Sequence, residues 1–366
     1  MKPDFEKIVK HFKFEGDFLE ASPYGFGHIN DTYAARFRIA NGTMRRYILQ
    51  RINHNVFKKP EELMQNIERV TTHLRRKIIC AGGDPERETL NLIPTLEGKA
   101  FYRTQAGDYW RAYIFIEDAQ TYEVVESLDH VYYAAKAFGH FQKLLSDFPA
   151  GQLHETIPGF HHTGKRFEAF VEAVERDVKN RAHSVGADIE FVEKRAGDIS
   201  ILINLLEQGK LPERVTHNDT KFNNVMIDAK TGKGMCVIDL DTVMPGLSLY
   251  DFGDCVRTGA ALAAEDERDL SKVGIGLDIF DRLVHGYLEA ARDFLTPIEI
   301  DHLPFSAKLM TLECGMRFLA DHLSGDIYFK VHRENHNLDR FRTQLKMIRD
   351  MERKFEEMVR IVEKYR

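Results

Sequence analysis

The sequence predicts an α+β chain in two lobes, a small antiparallel-sheet lobe over residues 1–117 and a larger helical lobe over residues 118–366. Three observations predict it. Short apolar runs separated by turn residues dominate the first part of the chain. Helical stripes dominate the remainder. The 366 residues exceed one average domain, yet no repeat or low-complexity linker divides them.

The first element is Pro23–Tyr33, which carries Gly25 and Gly27 and leads into the strand-like Ala34–Ile39. Asn41-Gly42 marks a turn, and Tyr47-Ile48-Leu49-Gln50 is the returning strand. Glycine lets backbone N–H groups approach phosphates closely, which assigns Gly25 and Gly27 to a nucleotide, although Gly-x-Gly alone is a turn signal. Leu63, Ile67, Val70, Leu74 and Ile78 recur at helical spacing and predict an amphipathic helix over residues 60–79. Glu68 borders that stripe and is placed to pair with a cation on the neighbouring strand.

Trp110–Ala119 is a strand ending in polar residues, read as the hinge between lobes, with Ile116 on the nucleotide side. Helices over 127–145, about 167–180 and about 189–208 build the second lobe. His161-His162 sits on a loop between them and reads as solvated, without a role. Leu338, Phe341, Leu345, Ile348, Met351, Phe355, Met358 and Ile361 trace a last helical stripe. It packs on the large lobe or forms a dimer seam, since both need the same stripe.

The chemistry concentrates in Val215–Asn224 and Val237–Asp241. Asp219 follows a short apolar start, a placement that suits a base accepting a hydroxyl proton, and Asn224 follows at the spacing kinases use for a metal-binding amide. The runs 224–228 and 235–239 flank the turn-rich 229–234 and predict a hairpin. Closed symmetrically about Thr231 and Gly232, it sets Asn224 opposite Asp239, and these oxygen ligands suit Mg²⁺ shared with nucleotide phosphates rather than zinc. Asp251-Phe252-Gly253 carries the letters of the protein-kinase metal motif, but it lies beyond the hairpin and is read as capping a helix and bracing the catalytic loop. Gln50 and Arg51 stand where kinases carry a phosphate-binding lysine. Arg51 reads as a surface arginine.

Composition sets the limits. A net charge of −6 without a Lys/Arg block argues against a nucleic-acid partner. Cys80, Cys236, Cys255 and Cys314 show no Cys-x-x-Cys spacing, so neither a zinc site nor a disulfide framework is expected, and a reducing compartment is. No apolar run approaches a signal peptide or membrane span. A cytoplasmic enzyme, monomer or homodimer, follows as the expectation.

With these residues in view, the chain resembles the aminoglycoside phosphotransferase and choline kinase superfamily, whose fold is protein-kinase-like. Within it the chain is similar to the branch that phosphorylates the anomeric hydroxyl of N-acetylhexosamines. The resemblance runs nearly end to end, through Tyr24-Gly25-x-Gly27-His28-Ile29-Asn30, Tyr47–Gln50, Thr216–Lys221, Ile238–Thr242, and Glu313–Asp321 followed by Gly325–Phe329. The last block discriminates the branch. The resemblance implies ATP and Mg²⁺ as cofactors, Asp219 as base, Asn224 and Asp239 on the metal, and His28, Asp241, Arg317 and Tyr328 lining a sugar pocket. Gln50 in the lysine position departs from the wider superfamily but agrees with this branch. A kinase of another small alcohol, and a nucleotide-binding protein without catalysis, are the competing readings.

Overall fold

The computed structural model describes residues 3–366 apart from 26, 28 and 123–126. A short helix, α1 (Phe5–Val9), precedes β1 (Asp17–Pro23), β2 (Asp31–Arg38) and β3 (Met44–Ile52). Helix α2 (Pro60–Cys80), β4 (Tyr102–Arg103) and β5 (Tyr109–Ile114) follow. The strands form one antiparallel sheet in the order β1-β2-β3-β5-β4. Period-two alternation gives the sheet its two faces. Tyr47 and Leu49 of β3 point to one face and join Phe37, Trp110 and Ala112 in a core under α1. Gln50 and Ile52 alternate with them toward the other face, where α2 lies.

The stripe on α2 is buried as the spacing predicts, with Leu63, Ile67, Val70, Leu74 and Ile78 all nearly inaccessible. Pro60 opens the helix, where its missing N–H has no intrahelical partner to lose. Asn66 on the same helix ties it to the second lobe, donating to the His154 carbonyl (2.8 Å) and the Val243 carbonyl (3.0 Å). Glu68 does not make the expected ion pair. It faces solvent, and the cation of this sheet face is found elsewhere.

After the hinge come β6 (Ala119–Gln120) and α3 (Leu128–Leu144), capped by the Ser127 hydroxyl on the His130 N–H. Helix α4 (Thr163–Arg176) starts earlier than its stripe suggests and ends at Asp177, which takes a left-handed conformation. The single helix expected over 189–208 is three short ones, α5 (Gly186–Glu193), α6 (Ala196–Ile199) and α7 (Ile201–Glu207). The Arg195 guanidinium donates to the Phe191 carbonyl at 2.9 Å, taking the acceptor a continuing helix would use, and the Arg195 N–H turns to Val192 instead.

Strands β7 (Arg214–Thr216), β8 (Val225–Asp228), β9 (Gly234–Val237) and β10 (Met244–Gly246) then build the site in two small sheets, β10-β7 and β6-β8-β9. Helices α8 (Ser248–Gly259), α9 (Leu277–Ala291), α10 (Pro297–Asp301) and α11 (Leu303–Ser324) complete the body, and α12 (His336–Arg353) and α13 (Phe355–Tyr365) close it. The terminal stripe packs inward. Phe341, Leu345 and Ile348 join Leu312 and Leu319 of α11 in one cluster, and Met351 and Met358 enter the main core.

Helices α3 and α9 approach closely because glycines face the contact from both sides. A Cβ on Gly286 would lie 2.1 Å from the Tyr132 carbonyl oxygen, and one on Gly139 would lie 2.6 Å from that of Tyr287. Backbone cannot yield as a flexible side chain can, so Gly286→Ala should overpack the contact and cost about 1–3 kcal/mol of stability. Chemical denaturation checks this; an alanine variant as stable as the parent would show that the helices separate freely.

Candidate active site

The loop after β7 is held from several directions before any ligand is considered. Asp251, in the first turn of α8 and 1% exposed, accepts from the His217 N–H (2.9 Å), the Asn218 N–H (2.7 Å) and the Gln142 side-chain amide (2.7 Å). It braces the loop as expected, but it does not cap the helix, whose N-cap is Leu247. Burial pushes its carboxyl pKa up, and the backbone N–H groups of His217 and Asn218 and the Gln142 amide oppose that. Thr242 donates to the His217 carbonyl (2.7 Å), and the Asn218 side chain donates to the Thr242 carbonyl (2.9 Å). His217 Nδ1 accepts from the Asp219 N–H at 3.2 Å, so its Nε2 carries the proton and donates to the Ile238 carbonyl at 2.8 Å.

These contacts fix Asn218 in a left-handed conformation (φ 64°) and aim the following residue. The Asp219 carboxylate is half-buried, 2.9 Å from Lys221 Nζ and 3.3 Å from Asn224 Nδ2. Burial works to lower the Lys221 pKa, but Asp219, Asp239 and Asp254 outweigh it and hold the ammonium charged.

The hairpin forms, with a different register. Val225 pairs with Val237 and Met226 with Cys236, so the Asn224 carbonyl meets the Ile238 N–H (2.9 Å) rather than Asp239. The turn accounts for the shift. Asp228 accepts from Thr231 and Lys230 N–H groups, pairing Asp228 with Lys233, and an irregularity after Met226 absorbs the extra residue. Asp239 therefore lies one residue beyond the ladder, in a left-handed conformation (φ 59°). Its carboxyl pKa is pushed from the ordinary 3.8 up to about 6, by surrounding protein first and then by the Asp241 and Asp219 carboxylates. The side chain opens into the cleft, so water tempers the desolvation, and the crowding of like charge is the firmer cause. Asn224 spends its NH₂ group on the Asp219 carbonyl (2.8 Å) and carboxylate, leaving its amide oxygen as a ligand. One amide oxygen and one carboxylate among crowded negative charge fit a hard divalent cation that also takes phosphate oxygens. Among the described residues no cluster of three or more His, Cys, Asp or Glu forms a metal site independent of such a ligand.

Sequence reasoning missed Arg111. It lies on β5 opposite Gln50, which lies opposite Thr32 on β2, so the three form a ladder across one sheet face. Gln50 donates to Thr32 Oγ1 and accepts from Arg111 Nε, each at 2.8 Å. Both ends of the Gln50 amide are thereby taken. Arg111 and Asp241, 2% and 3% exposed, form a buried ion pair, and Asp241 also accepts from Asn30 at 2.6 Å. Burial alone would lower the Arg111 pKa, but the Asp241 charge beside it raises it. The visible signal was an arginine inside the apolar run Trp110–Phe115. Arg51, in contrast, pairs with Asp31 at the surface as expected. Gly25 has a positive φ (77°), and a Cβ on Gly25 or Gly27 would meet nothing within 4 Å among the described residues. Ile116 is buried at the hinge beside Phe115, under the Arg46 guanidinium 3.7 Å from the Phe115 ring.

A separate cavity joins Asp219 to Arg317 of α11, walled by Phe160, His161, Asp254, Arg257 and Glu313. Its acids are already partnered: Asp254 with Arg257 (2.8 Å), Glu313 with His161 and Thr163 (2.7 Å each). Arg317 has aromatic neighbours, Phe160, Tyr328 and Phe329 at 5.4–5.8 Å, but no hydrogen-bond acceptor or ion-pair partner among the described residues. Tyr328 is 65% exposed beside it. Asp241 does not line this cavity, and His28 lies outside the described residues. His161 is not solvated as expected; it is 8% exposed.

The sequence profile of the phosphotransferase enzyme family matches residues 20–284. Among solved structures, the chain is similar to an aminoglycoside phosphotransferase from Alicyclobacillus acidocaldarius, with a TM-score of 0.62 and 11% identity over 100% of this chain and 97% of that one. It is also similar to a microcompartment-associated aminopropanol kinase (TM-score 0.58, 14% identity, 96% of each chain). A third is an amicoumacin kinase in complex with AMP-PNP, Ca²⁺ and Ami (TM-score 0.55, 13% identity, 93% of this chain and 92% of that one). At such identities the likeness is one of fold: an antiparallel-sheet lobe joined to a helical lobe.

Two substitutions separate the acids by melting temperature without metal. The raised Asp239 pKa means the native state binds its proton more tightly than the unfolded chain, so stability falls as pH rises from about 4 to 6. Asp239→Asn should therefore melt above the parent beyond pH 6, with the difference closing toward pH 4; a difference independent of pH would refute this electrostatic picture. Asp251→Ala should melt well below the parent at any of these pH values, because it strands buried donors at roughly 1–3 kcal/mol each.

Proposed function

We propose, from the premise that this chain belongs to the phosphotransferase enzyme family, that it is an ATP-dependent small-molecule kinase acting on the anomeric hydroxyl of an N-acetylhexosamine, GlcNAc or GalNAc, to give the sugar 1-phosphate. In this reading Asp219 accepts the hydroxyl proton, the sugar oxygen bonds to the γ-phosphorus, and the bond to ADP breaks. Lys221, beside Asp219, faces the charge carried by the transferred group. Asn224 and Asp239 would hold Mg²⁺, which neutralises phosphate charge when bound. Gly25, Gly27 and Ile116 serve the nucleotide, with Gln50 holding the sheet face beneath it.

One observation carries the choice of acceptor: among the described residues, the cavity next to Asp219 offers a cation without an ion-pair partner, and its acids are all paired, Asp219 with Lys221. An ammonium group is held by an unpaired carboxylate or by aromatic faces, and here Arg317 already lies over Phe160, Tyr328 and Phe329 and repels a second cation. A neutral sugar offers carbonyl and hydroxyl oxygens, which an unpaired arginine requires. The N-acetyl oxygen and ring hydroxyls are assigned to Arg317, with Tyr328 against the sugar face. His28 from the opposite lobe and Asp241 from the turn 240–242 complete the proposed sugar set, Asp241 through lone pairs left over by Arg111 and Asn30.

ADP release over a panel of free sugars and amino alcohols, with ATP and Mg²⁺, tests the proposal. N-acetylhexosamines should turn over, and the product should lose its reducing end. Turnover confined to amino alcohols would overturn it. With the accepted sugar, Asp219→Asn should lower kcat by at least ~10²-fold while nucleotide binding persists. Arg317→Ala should lower kcat/KM for the sugar by about 10²-fold, with little change in the KM for ATP or in melting temperature. A large fall in melting temperature with intact kcat/KM would return Arg317 to a purely structural role.

A further inference from the structure

His161 reaches two acceptors at once. Its Nδ1 is 2.7 Å from Glu313 Oε1, and its Nε2 is 3.0 Å from the carbonyl oxygen of Asn218. A neutral imidazole carries one N–H and can satisfy one of them; only the imidazolium satisfies both. A carbonyl cannot donate, and Glu313 is itself kept as an acceptor: against burial, His161 and the Thr163 hydroxyl, 2.7 Å from its second oxygen, hold its carboxyl below the ordinary pKa. All of this is buried, so a missing proton would leave a stranded polar group that water does not reach.

We propose that His161 is held as an imidazolium and acts as a positioning residue for the base, gripping the carbonyl of Asn218 so that Asp219 points into the cavity, and that deprotonating it loosens this grip and slows turnover. This rests on the assignment of Asp219 as base. The geometry explains why the grip falls where it does. Asn218 is in a left-handed conformation, with its N–H on Asp251 and its side chain on Thr242. The peptide that joins Asn218 to Asp219 is otherwise held through its other edge, by the Asp219 N–H on His217 Nδ1 at 3.2 Å. His161 holds the carbonyl edge of the same plane.

The surrounding charges support an imidazolium. From α11 come Glu313 and, one turn on, Arg317; from α8 come Asp254, its partner Arg257 and the Tyr250 ring; from α4 comes Arg166. Asp219 and Lys221 face it from the loop and pair with each other. Arg166 is turned to the Phe160 carbonyl, so Glu313 is the one charge in direct contact. Burial alone would lower the His161 pKa, but the Glu313 charge and hydrogen bond, the Asn218 carbonyl and Asp254 raise it above the ordinary 6.5. A raised histidine stabilises the fold fully below that ordinary value and loses the contribution as pH rises through the folded value.

The experiment uses the full chain with ¹⁵N-labelled histidine, reading the ring protonation of His161 by NMR from pH 6 to 9 beside kcat and KM. We expect both ring nitrogens protonated at pH 7.5 and a fall in kcat, without a rise in the KM for ATP, over the pH range where His161 titrates. Glu313→Gln should move both transitions to lower pH together; should that variant fail to fold, Thr163→Val, which removes a competing donor from Glu313 and leaves more of its charge to His161, should move both to higher pH together. His161→Gln should lower kcat on the order of 10- to 10²-fold, the range for a misaimed group, at unchanged KM for ATP. A neutral single tautomer at pH 7.5, or a His161 transition that moves while the kcat profile stays, overturns the proposal. The NMR arm needs no acceptor, and kcat can be read on whichever alcohol is turned over, so failure of the hexosamine reading is distinguishable from failure of this one.

Discussion

The buried ion pair between Arg111 and Asp241 is the constraint on which the arrangement of the site depends. Taking both charges out of water is expensive, and their attraction roughly offsets that, so the pair is a poor source of stability. Its effect is positional. Neither charge can move away from the other without standing unpaired in the interior, at a cost of about 3–5 kcal/mol. The pair therefore locks a sheet strand of the first lobe to the turn 240–242 of the second. That turn carries Thr242, which holds His217 and Asn218, and these set Asp219. Hydrogen bonds, joined by the backbone step from Asp241 to Thr242, connect Thr32 through Gln50 and Arg111 to the loop that carries Asp219.

The ladder also explains how the chain manages with glutamine where kinases place a lysine. The cation has not vanished from this face; it sits one strand over, on β5 rather than β3, and Gln50 bridges the gap by accepting from it and donating to Thr32. The helix glutamate that would answer a lysine is correspondingly idle. Glu68 points to solvent, and the carboxylate answering Arg111 comes from the other lobe. Moving both partners together keeps the interior neutral.

What the sequence disclosed and what it hid divide along the range of the interactions. The strands, α2 and the catalytic loop were legible because periodicity and turn chemistry are local: the stripe from Leu63 to Ile78 is buried as its spacing implies. The brace by Asp251 was legible from its distance to the hairpin, but the helix cap expected of it was wrong, since Leu247 is the N-cap. Arg111 and His161 were hidden, since an arginine's partner 130 residues away and a histidine's 152 away leave no trace in spacing. The hairpin register failed for another reason: symmetry about the turn is the simplest closure, but the Asp228 side chain captures the turn's N–H groups and offsets the ladder. The helix expected over 189–208 failed because a side chain, Arg195, took a backbone acceptor, which apolar periodicity does not encode. The acceptor cavity depends on which acids are already engaged, and that exists only in three dimensions.

Asn218 and Asp239 both hold the left-handed backbone that residues with a Cβ rarely adopt, and each sits at a functional atom's root. Such a residue carries on the order of 1 kcal/mol of strain that glycine would not. Glycine at either position would relax the chain, and it would also erase the side chain that ties down the loop or reaches the cleft. At Asp239 a more durable fold and a faster catalyst therefore lie in opposite directions. Selection for heat resistance alone would pull Asp239 toward glycine, whereas at Asn218 the buried side-chain hydrogen bond to Thr242 outweighs the strain and holds the residue in place.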